Sequence, residues 1–432
     1  MSSKAENPSV GRTAAYLFIG DSRSITPGIR PEPHFAVQID TTHHRLESRF
    51  SYGFQRLPPS FNRTVVNFHS DLAGGSSAEG GHAGFNRVFA SVLVGCLVLV
   101  SGFNFACDPL LLFHSPWFKE IYSSNERFRI PGFVRSLEYD LALVGASSAM
   151  AIRPADIKEF LDRRPVMLVI GGATIAEESL AAETVLKQGK VRRLLWTLDP
   201  LVFSYPKWRR DVQMPLHLYR AEPPDIAQYL LGRTTTNMSL AVISYVLGGP
   251  LPNDFVSDPY EPYQLPEQSD YSPDSVRKAF YSTSAIAELH RRERALHTPF
   301  DEAQVSVAFD EYILALTRRY PDVHFDVVLS PATTAFYQFM QRNFPSRFAQ
   351  YMFVRKLAYE RLTTEANVRV YDLQTDQSIT SDYRQFKDML HFSPDVGRRI
   401  LAAVRDGRAV DSTGEPTSRK AIERSMAQIP LP

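Results

Sequence analysis

Five short apolar segments constrain the fold of this chain more than any other feature of its sequence. They are rich in Val, Leu and Ile, and stretches with helix-like periodicity separate them. Strands that are buried on both faces have this composition, and helical crossovers between such strands produce a parallel sheet covered by helices. The sequence therefore predicts an α/β fold with a five-stranded parallel sheet. The segments lie at about 140–145, 166–170, 192–198, 324–330 and 366–371.

The interval between the third and fourth segments is too long for a single crossover. Helices are predicted in it near 223–232, 235–247 and 276–320, and a proline-rich loop runs from Gly248 to Pro273. We interpret about 205–320 as an insertion over the carboxyl ends of the strands, where open α/β sheets bind their ligands. Two interpretations of its aromatic and acidic loop at Asp258–Tyr263 stay open, a platform that stacks on a sugar and a mobile lid.

An uncharged run of twenty residues, Val88–Cys107, precedes the predicted sheet. At about 1.5 Å per residue, a helix of this length spans the hydrocarbon core of a bilayer. We predict a transmembrane helix at 85–107, because a core helix usually has a polar face and the apolar region of a signal peptide is shorter. Arg87 precedes the run and Lys119 is the first basic residue after it. This bias favours a cytoplasmic N-terminus and a C-terminal domain outside the cytoplasm.

Both ends of the chain have the composition of disordered segments. Residues 1–84 are rich in Pro, Gly, Ser, His and Arg and lack sustained periodicity, and the tail 407–432 is similar. Tyr16–Ser22 looks like a strand that ends in the Gly-Asp-Ser of a serine hydrolase, but the strand-turn-helix context of that motif is missing. We interpret it as a chance match, and we expect the folded domain to cover 108–406.

Composition excludes several classes of function. The 48 basic and 47 acidic side chains nearly cancel, so the overall charge gives no reason to expect a nucleic-acid partner. Cys96 and Cys107, the two cysteines, lie in the same predicted helix beyond disulfide reach. The residues before Cys107 fit a lipoprotein acceptor site poorly. No His or Cys cluster has the spacing of metal ligands, and we expect neither a metal nor another cofactor.

A serine follows the first predicted strand at a sharp turn. Ser147 comes two residues after Gly145 and begins a predicted helix, so its backbone N–H would lie at an anion-favouring helix start. Ser147 is then either a nucleophile or simply the N-cap of that helix. Ser148 is the lesser candidate, because its side chain should turn into the helix.

The most specific chemical signal is His391 with Asp388, which lie three residues apart before a proline and a final helix. Such an acid can hold one tautomer of the imidazole. Together with Ser147, the pair supplies the nucleophile, base and orienting acid of acyl transfer. Gly172 follows the second strand, either as an ordinary turn or as a backbone donor to a substrate oxygen. Asp199 ends the third strand at the same predicted edge.

These residues together resemble the SGNH hydrolase superfamily of GDSL-type esterases and acyltransferases. More narrowly, the chain is similar to a membrane-anchored bacterial branch that is often encoded with cell-surface polysaccharide genes. The blocks that carry the resemblance are Asp108-Pro109, Arg127, 144–148, 171–174, 198–199 and 388–393. The resemblance implies a flavodoxin-like sheet with helices on both faces, Ser147 as nucleophile, Asp388 and His391 as the acid–base pair, and Gly172 as an oxyanion donor.

The resemblance also implies a function. It suggests a serine esterase or O-acyltransferase that is anchored in the bacterial inner membrane and acts in the periplasm on a cell-envelope polysaccharide, with an acyl donor and polysaccharide-synthesis proteins as partners. The superfamily has a hydrogen-bond-donating asparagine where this chain has Asp199, and an ionised carboxylate cannot donate. The alternative is therefore a non-catalytic SGNH-like module that binds or organises polysaccharide machinery at the membrane.

Overall fold

The computed structural model describes residues 79–428 apart from residue 210 and short gaps at 261–262, 264–265, 267–268, 282–286, 288–289, 292 and 296–297. The predictions for residues 1–78, which include most of the predicted disordered region and the Tyr16–Ser22 motif, lie outside the described residues. The chain divides into two units, Asp21–Leu93 and, as the other, Met1–Gly20 with Val94–Pro432. The described residues of the smaller unit belong to the first half of helix α1, Glu79–Cys107.

The described strands form two sheets. They are β1 (Tyr122–Ser123), β2 (Leu141–Ala146), β3 (Pro165–Ile170), β4 (Arg193–Leu198), β5 (Phe255–Val256), β6 (His324–Leu329) and β7 (Val368–Asp372). Five of them form a parallel sheet in the order β3-β2-β4-β6-β7. This confirms the predicted α/β class and its five-stranded parallel sheet, and each strand begins and ends within two residues of its predicted segment. The antiparallel pair β1 and β5, in contrast, had no sequence signal.

Helices connect and flank the strands. After α1 they are α2 (Glu126–Ser136), α3 (Pro154–Leu161), α4 (Ile175–Leu186), α5 (Leu216–Arg220), α6 (Pro223–Leu231), α7 (Arg233–Val246), α8 (Pro273–Tyr281), α9 (Glu302–Phe309), α10 (Ala315–Arg319), α11 (Thr334–Asn343), α12 (Pro345–Leu357), α13 (Gln377–Thr380), α14 (Pro394–Arg405) and α15 (Glu415–Gln428). Shorter 3₁₀ helices cover Ser147–Ala151, Pro200–Ser204, Tyr383–Gln385 and Ser412–Gly414, and π-helical turns cover Asp310–Leu314 and Ala358–Leu362.

The helical region predicted over 276–320 is interrupted before α9. Residues 298–301 are not helical. Pro299 lacks the N–H that a continuing helix requires, and the Asp301 carboxylate starts a new helix by accepting the N–H groups of Ala303 and Gln304 at 2.8 and 3.2 Å. One predicted helix is therefore replaced by separate helices in this region.

Side chains of the central strand alternate between two apolar cores, one on each face of the sheet. Ala142 and Val144 of β2 belong to the core that includes residues of α2 and α4. Leu141 and Leu143 belong to the core that includes residues of α3, α11 and α14. Burying a Val or Leu side chain contributes about 1.5–3 kcal/mol. Because the strand is buried on both faces, its residues are apolar without a polar alternation, which makes such strands visible in the sequence.

The prediction that the tail beyond residue 406 is disordered is wrong for the described residues, which include a helix. The tail forms α15, on which Ile422 is 1% exposed and belongs to the core that contains α11. The Ser425 hydroxyl lies 3.0 Å from that of Thr334, and Val410 N–H donates to the Val370 carbonyl of β7 at 2.8 Å. The tail is polar overall, but these few contacts hold it against the sheet domain.

Helix α1 is long and apolar enough to cross a membrane between Gly84 and Cys107. Its apolar side chains are largely exposed, with Val98 at 63% and Leu99 at 74%. A helix in the core of a soluble protein would bury most of such a surface.

Candidate active site

Three neighbouring strands end in one row at the carboxyl edge of the sheet. β2 lies between β3 and β4, and Ala146 of β2 pairs with Ile170 of β3. Ser147 and Gly171, the next residue on each strand, therefore leave the sheet side by side. Asp199 follows the last residue of β4 at the same edge. Parallel strands bring together residues that are far apart in sequence in this way.

The row is completed by His391, which is 244 residues from Ser147 in the chain. The Ser147 Oγ lies 2.9 Å from His391 Nε2, and His391 Nδ1 lies 2.7 Å from Asp388 Oδ2. A carboxylate can only accept, so Nδ1 carries the proton and Nε2 is left to accept the hydroxyl proton. The structure thus brings the three predicted residues into one hydrogen-bonded chain, within the distances that a nucleophile and its base require.

Asp388 is held as a carboxylate. Its Oδ1 accepts the backbone N–H groups of Leu390 and His391, both at 2.9 Å. Burial by itself would raise the pKa of Asp388, but the charge of His391 and the hydrogen bonds from His391 and Leu390 together lower it. The acid therefore stays ionised and orients the imidazole.

The loop that carries Asp388 and His391 is fixed on both sides. Within the loop, Lys387 N–H donates to the His391 carbonyl at 3.1 Å. The Met389 carbonyl accepts from the N–H and the hydroxyl of Thr333, at 3.0 and 3.2 Å, just before α11. Ser275 of α8 donates to the Lys387 carbonyl at 2.6 Å. A segment of the predicted insertion therefore touches the loop of the candidate base.

Two glycines allow the close packing that brings these elements together. A Cβ at Gly397 of α14 would lie 2.6 Å from the Ala151 carbonyl oxygen, so only glycine lets α14 approach the 3₁₀ helix of Ser147 this closely. A Cβ at Gly145 would lie 2.0 Å from Thr197 Oγ1 on β4. Larger residues at either position would displace backbone or the adjoining strand, because these interiors are closely packed.

Two arginines fix the orientation of the turn at Gly171 and Gly172. Arg127 approaches the Gly171 carbonyl through two nitrogens at 3.4 Å each, and Arg209 donates to the Gly172 carbonyl at 3.0 Å. Gly172 has a φ of +59°, which glycine adopts at little cost. In a trans peptide the C=O and N–H groups point in opposite directions. Because Arg127 contacts the Gly171 carbonyl, the Gly172 N–H of the same peptide group points away from Arg127.

Arg127 is itself held by a buried ion pair. Its guanidinium donates to both carboxylate oxygens of Glu177, at 3.0 and 2.8 Å, and the two side chains are 6% and 0% exposed. Glu177 also accepts the Thr174 N–H at the start of α4. A two-pronged arginine–carboxylate pair has a defined geometry, so this pair supports the turn more rigidly than a single contact would.

Asp199 lies at this edge of the sheet, and its pKa is raised above that of an ordinary aspartate. Its Oδ1 accepts the Leu201 N–H at 3.0 Å. Burial raises the pKa of Asp199, and the Leu201 hydrogen bond and the charge of His391 reduce this effect without reversing it. A protonated carboxyl group can donate a hydrogen bond, whereas the carboxylate cannot. Asp199 therefore keeps its proton to a higher pH than an ordinary aspartate does.

Two other sequence candidates have different surroundings. Ser148 is 4% exposed, and its Oγ accepts a hydrogen bond from the Ser330 hydroxyl at 3.2 Å instead of contacting His391. This agrees with the prediction that Ser148 is the lesser candidate for the nucleophile. Tyr260 and Tyr263 lie along the edge strand β3, where Tyr260 donates to the Pro165 carbonyl at 3.4 Å and Tyr263 is buried. The two tyrosines thus help to cover an open sheet edge.

Arg209 and Thr333 belong to the site but gave no sequence signal. Each binds a backbone carbonyl, Arg209 that of Gly172 and Thr333 that of Met389, and such contacts leave no spacing pattern in a sequence. Among the residues that the structure describes, no three or more His, Cys, Asp or Glu side chains form a group that could hold a metal ion.

No protein-family model matches this chain, and no curated protein matches its sequence.

Proposed function

We propose that this chain is a serine esterase or O-acyltransferase of the SGNH-like type. The observation that carries the proposal is the hydrogen-bonded chain from Ser147 through His391 to Asp388 at the carboxyl edge of a parallel sheet. Nucleophile, base and orienting acid are the three roles that acyl transfer through a covalent intermediate requires. The strand order is also that of flavodoxin-like sheets, which bind ligands at this edge.

In the first step, the Ser147 oxygen attacks the ester carbonyl while His391 Nε2 takes the hydroxyl proton. The tetrahedral intermediate collapses when His391 returns that proton to the leaving alcohol, which leaves an acyl group on Ser147. In the second step, a water molecule or a sugar hydroxyl gives its proton to His391 and attacks the acyl carbonyl. The bond between the acyl carbon and the Ser147 oxygen then breaks as His391 returns the proton to that oxygen, which releases the free acid or the acylated sugar. Asp388 stabilises the imidazolium in both steps without taking the proton.

We assign three groups to the stabilisation of the negative charge that develops on the substrate oxygen. The N–H of Ser147, at the start of its 3₁₀ helix, has no acceptor within that helix. The Gly172 N–H points away from Arg127, and a protonated Asp199 would add the third donor. One donor of this kind is worth about 10²–10³-fold in rate.

The substrate class and location follow from the resemblance and from α1. Similarity to the membrane-anchored, polysaccharide-associated branch of the superfamily supports an acylated cell-envelope carbohydrate as substrate. The apolar helix α1, with Arg87 before the span and Lys119 after it, supports a single-pass protein of the bacterial inner membrane with its sheet domain in the periplasm.

A second candidate function is a non-catalytic module that binds or organises polysaccharide machinery. Asp199 is the observation that favours it, because an ionised carboxylate at this position would repel a developing oxyanion. The two candidates differ in a single measurable property, the reactivity of Ser147.

Labelling by a fluorophosphonate tests that reactivity directly. We expect the wild-type protein to become covalently labelled and Ser147→Ala to remain unlabelled, because the reagent reacts with a serine whose proton a neighbouring base can remove. Ser148→Ala is the matched control and should label like the wild type, since Ser148 contacts Ser330 and not His391. Equal labelling of wild type and Ser147→Ala would contradict the proposal, and a wild type that stays unlabelled would favour the non-catalytic module.

Topology is testable with paired reporters. A reporter that is active only in the periplasm should be active when it is fused after Pro432, and one that is active only in the cytoplasm should not. The protein should also resist extraction by alkaline carbonate, because α1 provides an apolar span. The opposite reporter pattern would place the sheet domain in the cytoplasm and remove envelope polysaccharide from the proposed substrates.

A further inference from the structure

Exposed apolar side chains occur in the segment that follows α1 and in helix α7, which the end of α1 contacts through Asn104. We call Phe113, Trp117, Phe118, Leu240 and Leu247 the apolar collar. Trp117 is 61% exposed, Leu240 56% and Leu247 81%. The first three lie in the segment that follows α1, and the other two lie in and just after α7. Large apolar side chains that are clustered and exposed indicate a binding surface more often than scattered ones do.

The collar is joined to α1 by buried polar contacts. Asn104, which is 0% exposed although it lies in the apolar run, donates to the Leu230 carbonyl at 2.7 Å and to the Thr236 hydroxyl at 2.9 Å. These contacts attach the last turns of α1 to α6 and α7. Asp108, the residue after α1, accepts the Phe113 N–H and the Tyr229 hydroxyl. No flexible linker therefore separates the end of α1 from the collar.

The aromatic part of the collar is also held in place. Trp117 stacks on His114 with ring centroids 4.0 Å apart, and the His114 ring nitrogen Nε2 lies 2.8 Å from the Phe105 carbonyl oxygen of α1. Lys119 places its ammonium group 4.1 Å from the ring centre of Tyr245 on α7. This segment has exposed tryptophan and phenylalanine side chains beside a lysine, a composition that is typical of segments at the membrane–water interface.

Helix α7 is a surface helix that carries no charge on its exposed residues after Arg233, its first residue. Thr235, Ser239 and Val242 face the protein and are buried, whereas Leu240 and Leu247 are exposed. No charged side chain occurs from Thr234 to Asn253. On a water-exposed helix the outer side is normally charged or polar. An uncharged outer side instead suits a helix that lies at a lipid surface.

We propose that the apolar collar inserts into the interfacial layer of the bilayer leaflet in which α1 ends. This inference rests on the proposed membrane span of α1 and goes beyond it, because a span alone would leave the following domain free to tilt. With the collar inserted, the sheet domain keeps one height and one orientation against the membrane. The candidate active site would then meet substrate at a fixed distance from the lipid surface.

Tryptophan quenching by brominated lipid tests the proposal on the full-length chain in phosphatidylcholine vesicles. Trp117→Phe gives the emission of Trp117 by difference, because Trp196, which is 0% exposed, and Trp208 emit in both proteins. We expect brominated acyl chains to remove most of the Trp117 emission, with bromines near the headgroups quenching more than deep ones. In the Trp117→Phe background, Leu247→Trp should add emission that the same lipids quench.

Val307→Trp in the same background is the matched control. Val307 is 63% exposed on α9, which packs against α12, and it is not part of the collar. Its added emission should resist quenching.

If the Leu247→Trp emission resists quenching while the protein withstands carbonate extraction, α1 is in the bilayer and the collar proposal is wrong. A blue-shifted, unquenched emission would mean that protein covers the collar, including a second copy of the chain, which also overturns it. If carbonate extracts the protein, the proposed span and the collar proposal both fail.

Discussion

Replacing Asp388 with asparagine is expected to lower the turnover of a generic ester such as p-nitrophenyl acetate by up to about 10⁴-fold. The asparagine amide could keep the contact with His391 Nδ1, but it would favour the wrong tautomer and would not stabilise the imidazolium. Ser147→Ala should lose at least as much activity. The double variant should be little worse than Ser147→Ala alone, because the three residues act as one unit.

Ser148→Ala again provides the control for this series. It removes a neighbouring hydroxyl whose partner is Ser330, so turnover should stay close to that of the wild type. Circular dichroism should give the same spectrum for all variants. If Asp388→Asn and Ser147→Ala keep full turnover with intact folding, the hydrogen-bonded chain is structural and the enzyme proposal is wrong.

Asp199→Asn is expected to raise turnover, and the increase should grow with pH. Burial raises the pKa of Asp199, so at low pH its carboxyl group is protonated and can donate to the oxyanion. As the pH rises through that pKa, the wild type loses the donor and gains a repelling charge, whereas the asparagine amide keeps its donor throughout. Once Asp199 is fully ionised, the variant should exceed the wild type by about 10²–10³-fold in kcat.

The measurement is the ratio of kcat for Asp199→Asn to that for the wild type across the pH range in which both stay folded. Taking the ratio removes the common titration of the other groups at the site. Asp199→Ala supplies the control, because it removes the charge without adding a donor and should gain less than Asp199→Asn. A ratio close to one at every pH would show that Asp199 takes no part in stabilising the oxyanion, and a constant ratio well above one would show that Asp199 is ionised throughout and never donates.

Most of the sheet could be predicted because its strands are buried on both faces. A strand such as β2 is buried on both faces, so its residues 141–146 must be apolar or small, and this composition is visible in the sequence. The tail helix α15 could not be predicted in the same way. Its composition is polar, and its position depends on contacts of Ile422 and Ser425 with the region of α11. Ser425 and its partner Thr334 are 91 residues apart in the chain.

Part of the candidate site could likewise be predicted from local sequence, and part depended on tertiary packing. The glycine before Ser147 and the spacing of Asp388 and His391 are local features, and they were sufficient to select these residues. The distance of 2.9 Å between Ser147 and His391 depends on α14 approaching the 3₁₀ helix at Gly397, which no local pattern encodes. Arg209 is similar, since its partner is a backbone carbonyl that any residue would supply.

The sequence by itself determined where the five strands of the parallel sheet lie, that α1 has an uncharged apolar span, and which serine, acid and histidine are candidates for catalysis. These properties depend on residue type and short-range spacing. The tertiary structure alone decided that β2 lies between β3 and β4, that two arginines orient the Gly171–Gly172 turn, and that Asn104 joins α1 to α7. It also decided the raised pKa of Asp199, because burial is a property of the packed chain and an isolated aspartate has no such surroundings.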